Sequence, residues 1–334
     1  MPAWLKPVVV AALVLATLLT IHVLPQLASV LLLLFAGTIL AVVLDAMTAQ
    51  MARIVPGGRG VAYAVTLAVI ALFLAAIGAL VGPRIVTEGL QVADQLPQAW
   101  QQLLDQLDDY AGMQPIVGAA QDPLLWLNKN ANLMAWVSGT FGGVFNVLVV
   151  VLVAIYGAAT PERYEQFGRQ LLPEAKRQGA SQLSGELGRG LRHWLLGRTA
   201  SMSIVGLATG IGLWILGVPL AFTLGLFAGL ASFVPYVGPI IGLVPAVLIA
   251  SVHSLGLAGW VLVVYGAVQM VESSLLTPLI QQRAIALPPV VLIAAQMIGG
   301  LLVGPPGVLL AAPLVVVVTV TAAWNREQTA LTRK

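Results

Sequence analysis

The sequence predicts an all-α polytopic membrane protein with about six full transmembrane helices and two hairpins broken by Pro and Gly. Three observations predict it. Of the 334 residues 59% are apolar and only 9% charged, against about 25% charged in a soluble domain. So few charges cannot cover a water-facing surface of this size, and most of the surface must face lipid. Apolar runs long enough for a ~30 Å hydrocarbon core, roughly 20 residues each, recur along the chain. The polar segments between them alternate in charge, as loops on opposite sides of a membrane do.

The predicted spans are about 5–24, 27–47, 60–82, 136–158, 193–217 and 257–280. Pro25, Gly57-Gly58 and Gly82-Pro83 stand where turns are expected after the first three. Lys6 ahead of the first run resembles a signal peptide, but the run is long, lacks a small-residue cleavage site and is followed at once by a second span. It is read as a retained helix.

Segment 84–135 carries Glu88, Asp94, Asp105, Asp108, Asp109 and Asp122 against Arg84 and Lys129. Segment 159–192 carries Arg163, Arg169, Lys176, Arg177, Arg189 and Arg192 with four acids. Basic short loops mark the cytoplasmic side, so the second segment is expected inside, with Arg53, Arg59, Arg283 and the tail Arg326, Arg333 and Lys334. The acidic segment is then outside, and both termini cytoplasmic. Both segments read as amphipathic helices. Outside, Leu96, Trp100, Leu103, Leu107 and Tyr110 recur at helical spacing, with Pro97 suited to a first turn. Inside, Thr160-Pro161-Glu162 starts a helix, and Leu183, Leu187, Leu191 and Trp194 form a later stripe. Such stripes pack on the protein's own membrane domain or a sister copy, or serve as a docking face for a partner or the bilayer interface.

Two apolar stretches are too short for two crossings each. Residues 218–250 break at Phe233-Val-Pro-Tyr-Val-Gly-Pro239, and residues 287–321 at Gly304-Pro-Pro-Gly307. Two spans and a turn need roughly 42 residues, so each stretch suits two half-helices meeting inside the membrane. Pro219, Gly229, Pro235 and Pro245 in the first resemble Pro288, Gly299, Pro305 and Pro313 in the second, with spacings that differ by one or two residues. Proline frees the carbonyl of a preceding turn, and non-helical backbone at depth lines a cavity. Broken helices in corresponding halves point to a transport site. The charge pattern would have the first hairpin enter from outside and the second from inside. Tight hairpins with turns at the membrane surface return the chain to the same sides, so both arrangements stay open.

Glu272 is the clearest ionisable group in an apolar run, and Gln269, Glu272 and Ser273 share a helix face at i, i+3 and i+4. A carboxyl at this depth costs several kcal/mol unless paired, hydrated or protonated, which suits a proton-coupled role or a structural cap for groups the neighbouring hairpin leaves open. Asp45 reads as an interface residue, Arg198 as a snorkelling one, and His22 and His253 as solvated. Gly-x-x-x-Gly recurs at Gly78/Gly82, Gly139/Gly143, Gly206/Gly210, Gly225/Gly229 and Gly238/Gly242, permitting close helix approach.

Other chemistry finds no support. With no cysteine there is no disulfide framework, thiolate metal site or cysteine nucleophile. A net charge of +3 implies no nucleic-acid face. Phosphate-loop, zinc-protease and Gly-x-Ser-x-Gly patterns are missing from the sequence. No enzyme activity, cofactor or metal is expected.

The stretch 213–321 resembles the autoinducer-2 exporter family of bacterial membrane proteins. The matching residues are Leu216-Gly-Val-Pro219, Gly229-Leu-Ala-Ser-Phe-Val-Pro-Tyr-Val-Gly-Pro239 with Pro245, Glu272-Ser-Ser-Leu-Leu-Thr-Pro278, Leu287-Pro-Pro289, and Gly299-Gly300 through Gly307 to Ala312-Pro313. The N-terminal half fits in layout, with Leu-Pro at 96–97 and at 172–173. It departs where the family tends to carry Asn-Pro after the second span, here Asp45-Ala46, and where Glu272-Ser273-Ser274 replaces a Glu-Asn-rich pattern. The resemblance implies secondary transport across the bacterial inner membrane: export of autoinducer-2 in some relatives, sodium or lithium exchange for protons in others.

The expected organisation is an N-terminal membrane segment (1–83), the acidic outer segment (84–135), a fourth span (136–158), the basic inner segment (159–192), a C-terminal transport core (193–323) with hairpins 218–250 and 287–321, and a tail (324–334). The expected site is Glu272 as coupling carboxyl with Gln269, Ser273, Thr277 and Pro278, the first tip at Pro235, Tyr236, Gly238 and Pro239, and the second at Gly304, Pro305, Pro306 and Gly307. Expected partners are the lipid bilayer, a small polar solute with H⁺ or Na⁺, and further copies of the chain in a homo-oligomer. A scaffold that recruits partners through 84–135 or 159–192 is the rival outside transport.

Overall fold

A computed structural model describes residues 5–108, 140–276, 278 and 288–332. All regular structure among them is helical: α1 (Leu5–Met51), α2 (Gly58–Asp108), α3 (Thr140–Ala159), α4 (Pro161–Gln170), α5 (Glu174–Ile215), α6 (Ala221–Ala231), α7 (Val237–Ser251), α8 (Leu255–Val271) with a π-helical turn (Glu272–Leu276), α9 (Pro289–Val303) and α10 (Pro305–Thr332). Among the described residues four stretches are long and apolar enough to cross a membrane: Gln26–Met51, Gly58–Asp108, Leu255–Leu276 and Pro305–Thr329. A fifth is added if Phe145–Ala159 and Pro161–Gln170, which meet at 91°, form one span.

Six spans are expected from the sequence of the whole chain, and several of their bounds differ in the structure. The first two predicted spans lie in the single helix α1, with no turn at Pro25. Nor is there a turn at Gly82-Pro83, because α2 runs for 51 residues through both Pro83 and Pro97. Proline removes one donor without forcing a reversal, and membrane helices tolerate the loss. At 1.5 Å per residue α2 is about 75 Å long, far more than a ~30 Å hydrocarbon core. Its second half therefore continues the span as the acidic helix, and Pro97 is interior to it. Residues 109–135, with Asp109, Tyr110, Asp122 and Lys129, lie outside the described residues, as do Arg283, Leu287, Arg333 and Lys334. The predicted 193–217 span is the second half of α5, which begins in the basic segment at Glu174. Arg198, Thr199, Ser201 and Ser203 add polar groups to this half.

The first hairpin has the two short arms expected of it, and the second does not. The first is made of two short helices of 11 and 15 residues, about 16 and 22 Å long, each less than a crossing. In the second, α9 has 15 residues but α10 has 28 and absorbs the expected tail, so its second arm is of crossing length.

The chain divides into two compact units. One comprises Met1–Asp45, Asn146–Leu187 and Leu287–Lys334. Here α1 and α3 pack through small residues: a Cβ on Gly37 would lie 2.6 Å from Val153 Cβ, and one on Gly157 3.0 Å from Ala41 Cβ. In the same unit α9 and α10 meet backbone to backbone, a Cβ on Gly299 falling 2.6 Å from the Gly307 carbonyl oxygen. Trp324, near the end of α10, lies against Gly179 of α5, whose Cβ would be 3.1 Å from the indole.

The other unit comprises Ala46–Phe145 and Gly188–Ala286. Its core joins Leu213 from α5, Leu224 and Ala228 from α6, Ile249 from α7, and Val261 and Tyr265 from α8. Tyr265 settles its hydroxyl by donating to the Gly242 carbonyl at 2.8 Å. The second half of α2 packs on α7 and α6. Gln106 donates to the Ser251 carbonyl at 3.5 Å, Thr223 donates to Glu88, and Ala99 and Leu104 are buried. The described part of the acidic helix thus packs on the protein's own membrane helices.

Candidate functional site

The site is assembled by one face of α5. Leu191, Trp194, Ser201 and Val205 are buried, with Arg198 between them, at alternating spacings of three and four residues. This face meets the tip of the first hairpin. Trp194 packs edge-on against Phe233, the ring centroids 5.9 Å apart and the planes at 78°, a geometry aromatic pairs favour.

The chain leaves helical form at residues 232–236, and this frees a carbonyl. In a continued helix the Val237 N–H would donate to Phe233; instead it donates to Pro235 at 2.8 Å. Arg198 takes its place, its Nε donating to the Phe233 carbonyl at 3.2 Å. The other edge of the guanidinium pairs with Glu272, Nη1 to Oε1 at 3.3 Å. Ser201 Oγ donates to the same carboxylate oxygen at 2.8 Å, and Gln269 Nε2 donates to Oε2 at 3.1 Å. The Glu272 and Arg198 side chains are only 8% and 13% exposed. A buried pair offsets its desolvation only with good geometry and further hydrogen bonds, and removing one partner alone costs about 3–5 kcal/mol. The extra donors from Ser201 and Gln269 meet that requirement.

Glu272 opens the π-helical turn. The i→i+5 pattern inserts an extra residue into the turn, a distortion frequent at functional sites. It also separates residues that an α-helix would align. Gln269 joins Glu272 as the spacing predicts, but Ser273 is exposed and donates to Met270 of its own helix at 3.2 Å. Thr277 lies outside the described residues, and Pro278 is exposed.

At the first tip Tyr236 adopts φ 65° and is 48% exposed, a conformation costing on the order of 1–3 kcal/mol for a non-glycine residue. Gly238 is buried, and a Cβ there would fall 2.0 Å from the Ala231 carbonyl oxygen, so only glycine lets α7 fold back on α6. Pro235 and Pro239 are half-buried beside it. Gly304, Pro305, Pro306 and Gly307 belong to the other unit, with Pro305 and Pro306 exposed and Gly307 buried.

Sequence reasoning missed two members of the cluster. Arg198, expected to snorkel, is instead the donor that joins Glu272 to the hairpin tip, and Ser201 is its neighbour. A single arginine and a single glutamate in otherwise uncharged runs were the available signal: each needs an opposite charge in lipid.

Beside this cluster α5 and α6 approach through glycine. A Cβ on Gly225 would lie 2.5 Å from Gly210 Cα, and one on Gly229 2.9 Å from Gly206 Cα. Of the repeated Gly-x-x-x-Gly pairs, 206/210 and 225/229 pack on each other, whereas Gly78, Gly82 and Gly143 have nothing within 4 Å and Gly139 lies outside the described residues. A groove of about 920 Å³ opens along the α5–α6 contact, walled by Leu207, Ile211, Trp214 and Leu226 and with Thr199 and Ser203 among its lining. Arg84 and Glu88 also line it; they are paired at 2.5 Å, with the guanidinium 5.0 Å from the Phe222 ring centroid. Among the described residues no three His, Asp or Glu side chains gather as a metal site.

Comparison with known proteins places these helices among bacterial relatives. The chain is 30% identical over 191 residues to "Putative transport protein YrrI" of Bacillus subtilis (strain 168), covering 55% of this chain and 54% of that protein. It is 26% identical over 249 residues to "Putative transport protein YueF" of the same organism, covering 69% and 68%. With "AI-2 transport protein TqsA" of Escherichia coli (strain K12) it shares 26% identity over 215 residues, 63% of this chain and 58% of that one. The chain thus spans between about half and two thirds of the length of these relatives. Over residues 8–325, nearly its whole length, it matches the family model described as AI-2E family transporter, and the chain is an integral membrane protein that belongs to that family.

Proposed function

We propose that the chain is a secondary transporter of the bacterial inner membrane that exports a small polar solute of the autoinducer-2 kind, driven by a proton or sodium gradient. The observation that carries this reading is the buried Arg198–Glu272 pair bonded to the open carbonyl of a broken hairpin. With Glu272 ionised, Arg198 is held between the carboxylate and Phe233, and the tip is closed. Protonation of Glu272 removes the charge that holds the guanidinium, weakens its bond to Phe233 and frees the tip to move. Ser201 and Gln269 keep the carboxylate oriented for the return step. Both arms of the first hairpin are shorter than a crossing, which supports a re-entrant tip at depth. The basic segment 159–192 argues for cytoplasmic termini, and the broad exposed apolar faces of these helices suit lipid and sister copies in a homo-oligomer.

A second reading is a Na⁺ or Li⁺/proton antiporter without an organic substrate. Glu272 Oε1 and the Phe233 carbonyl both accept from Arg198, and Ser201 Oγ donates to the same Oε1, an all-oxygen set of the kind hard monovalent ions take, so a cation could displace the guanidinium. Proteoliposomes separate the two. Proton movement driven by Na⁺ or Li⁺ alone supports the antiporter. Movement that requires the organic solute supports the exporter. No movement with any of them counts against transport by this chain.

A further inference from the structure

The helix that follows α3 has its surface the wrong way round for a soluble segment. In α4 the side that meets the protein is polar: Glu165 accepts a hydrogen bond from Ser181 of α5 at 2.8 Å. The apolar side chains face outward, with Tyr164 55%, Phe167 63% and Leu171 72% exposed, and no residue of α4 is buried. At i, i+3 and i+7 these three form one stripe within about 60° of arc on a helix of 3.6 residues per turn. Its position is set by its neighbour. Helix α3 has 20 residues, about 30 Å at 1.5 Å per residue, which is the thickness of the hydrocarbon core. At its end the chain turns by 91° at Thr160 and continues as α4. A helix leaving a membrane span at a right angle, just where the hydrocarbon ends, runs parallel to the bilayer surface.

We infer that α4 is an interfacial helix that seats Tyr164, Phe167 and Leu171 in the headgroup region of the lipid bilayer, with its polar side against α5. The chemistry fits that partner. Aromatic side chains concentrate at the membrane–water boundary, and an amphipathic helix lies there with its apolar face about 5–10 Å deep. Arg163 flanks the stripe and is exposed, placed to reach lipid phosphate while its stem covers the apolar edge. The helix thereby fixes the depth of α3 and of the start of α5, independently of what the protein transports.

The sequence has no cysteine, so single cysteines give unique labels on the full chain in liposomes. Nitroxides at Tyr164→Cys, Phe167→Cys and Leu171→Cys are compared with Glu162→Cys and Gln166→Cys on the other side of the helix. Collision with membrane-partitioned oxygen and with a water-soluble nickel chelate is read at each. The inference expects oxygen to dominate severalfold at 164, 167 and 171 and the chelate to dominate at 162 and 166. Equal access to the chelate on both sides would place α4 in water and overturn it. Shielding of 164, 167 and 171 from both reagents would mean that protein covers the stripe, and would overturn it equally.

Discussion

The first hairpin turns through residues 232–236, and its Phe233 carbonyl is closed by the side chain of Arg198, from a different helix. The second turns on Gly304 alone, at φ 75° and ψ −151°. It closes with its own backbone: Gly304 donates to Gly300 at 2.9 Å, Gly307 to Gly304 at 2.9 Å, and Val308 to Gly304 at 3.3 Å. Both bring their arms together through glycines that admit no side chain. What separates them is who satisfies the tip. The first tip has backbone bonds of its own, among them Gly238 N–H to the Val234 carbonyl at 2.9 Å, and what sets it apart is the added bond from an ionisable pair. Under the proposed function, that difference favours the first hairpin as the gate.

The largest expected effect is at the pair. Arg198→Ala leaves Glu272 buried without its counter-ion and should cost about 3–5 kcal/mol, read as a drop in the unfolding temperature of the purified protein. The double change Arg198→Met with Glu272→Leu should recover most of that loss while leaving transport absent. Recovery of transport would break the comparison.

Next come the two backbones. Gly304→Ala enters a region open essentially to glycine alone and should lose about 1–3 kcal/mol. Gly225→Ala forces α5 and α6 apart and should lose a similar amount, about 1–3 kcal/mol. In reconstituted protein Gly225→Ala should also slow transport relative to Gly304→Ala, because only the first contact borders the gate.

A smaller contrast lies within the cluster. Ser201→Ala removes a hydrogen bond to a charged group, about 1.5–3 kcal/mol, although Gln269 and Arg198 compensate in part. Ser273→Ala, an exposed site, should stay within about 0.5 kcal/mol. Equal losses at the two serines would contradict the rotation assigned to the π-helical turn. The smallest change is Gly78→Ala, where nothing lies within 4 Å. It should gain up to about 1 kcal/mol from helix propensity, seen as a slight rise in unfolding temperature.

The membrane class and the hairpin break points were legible because composition, apolar run length and Pro-Gly clusters act locally. The ends of α1 and α2 were not. A proline marks a lost hydrogen bond, and whether the chain turns there depends on what packs around it, as Pro83 and Pro97 inside α2 show. Glu272 and Gln269 were legible from spacing, and Ser273 was misplaced because the period changes at the π-helical turn. Arg198 was missed because its partner lies 74 residues away, and pairing at that distance is written in the fold alone. The two hairpins are similar in Pro and Gly spacing but differ in the length of their second arms, and spacing does not say which donor closes a tip.

The most direct measurement of the central claim is gradient-driven transport in proteoliposomes for the native chain and for Glu272→Gln, at matched protein content and with the unfolding temperature recorded for each. The account predicts that an imposed pH gradient drives uptake or release through the native chain, and that Glu272→Gln, although assembled, shows none that depends on the gradient. Glu272→Gln transport at the native rate with the same dependence on the gradient would contradict it and reduce the Arg198–Glu272 pair to a structural tie.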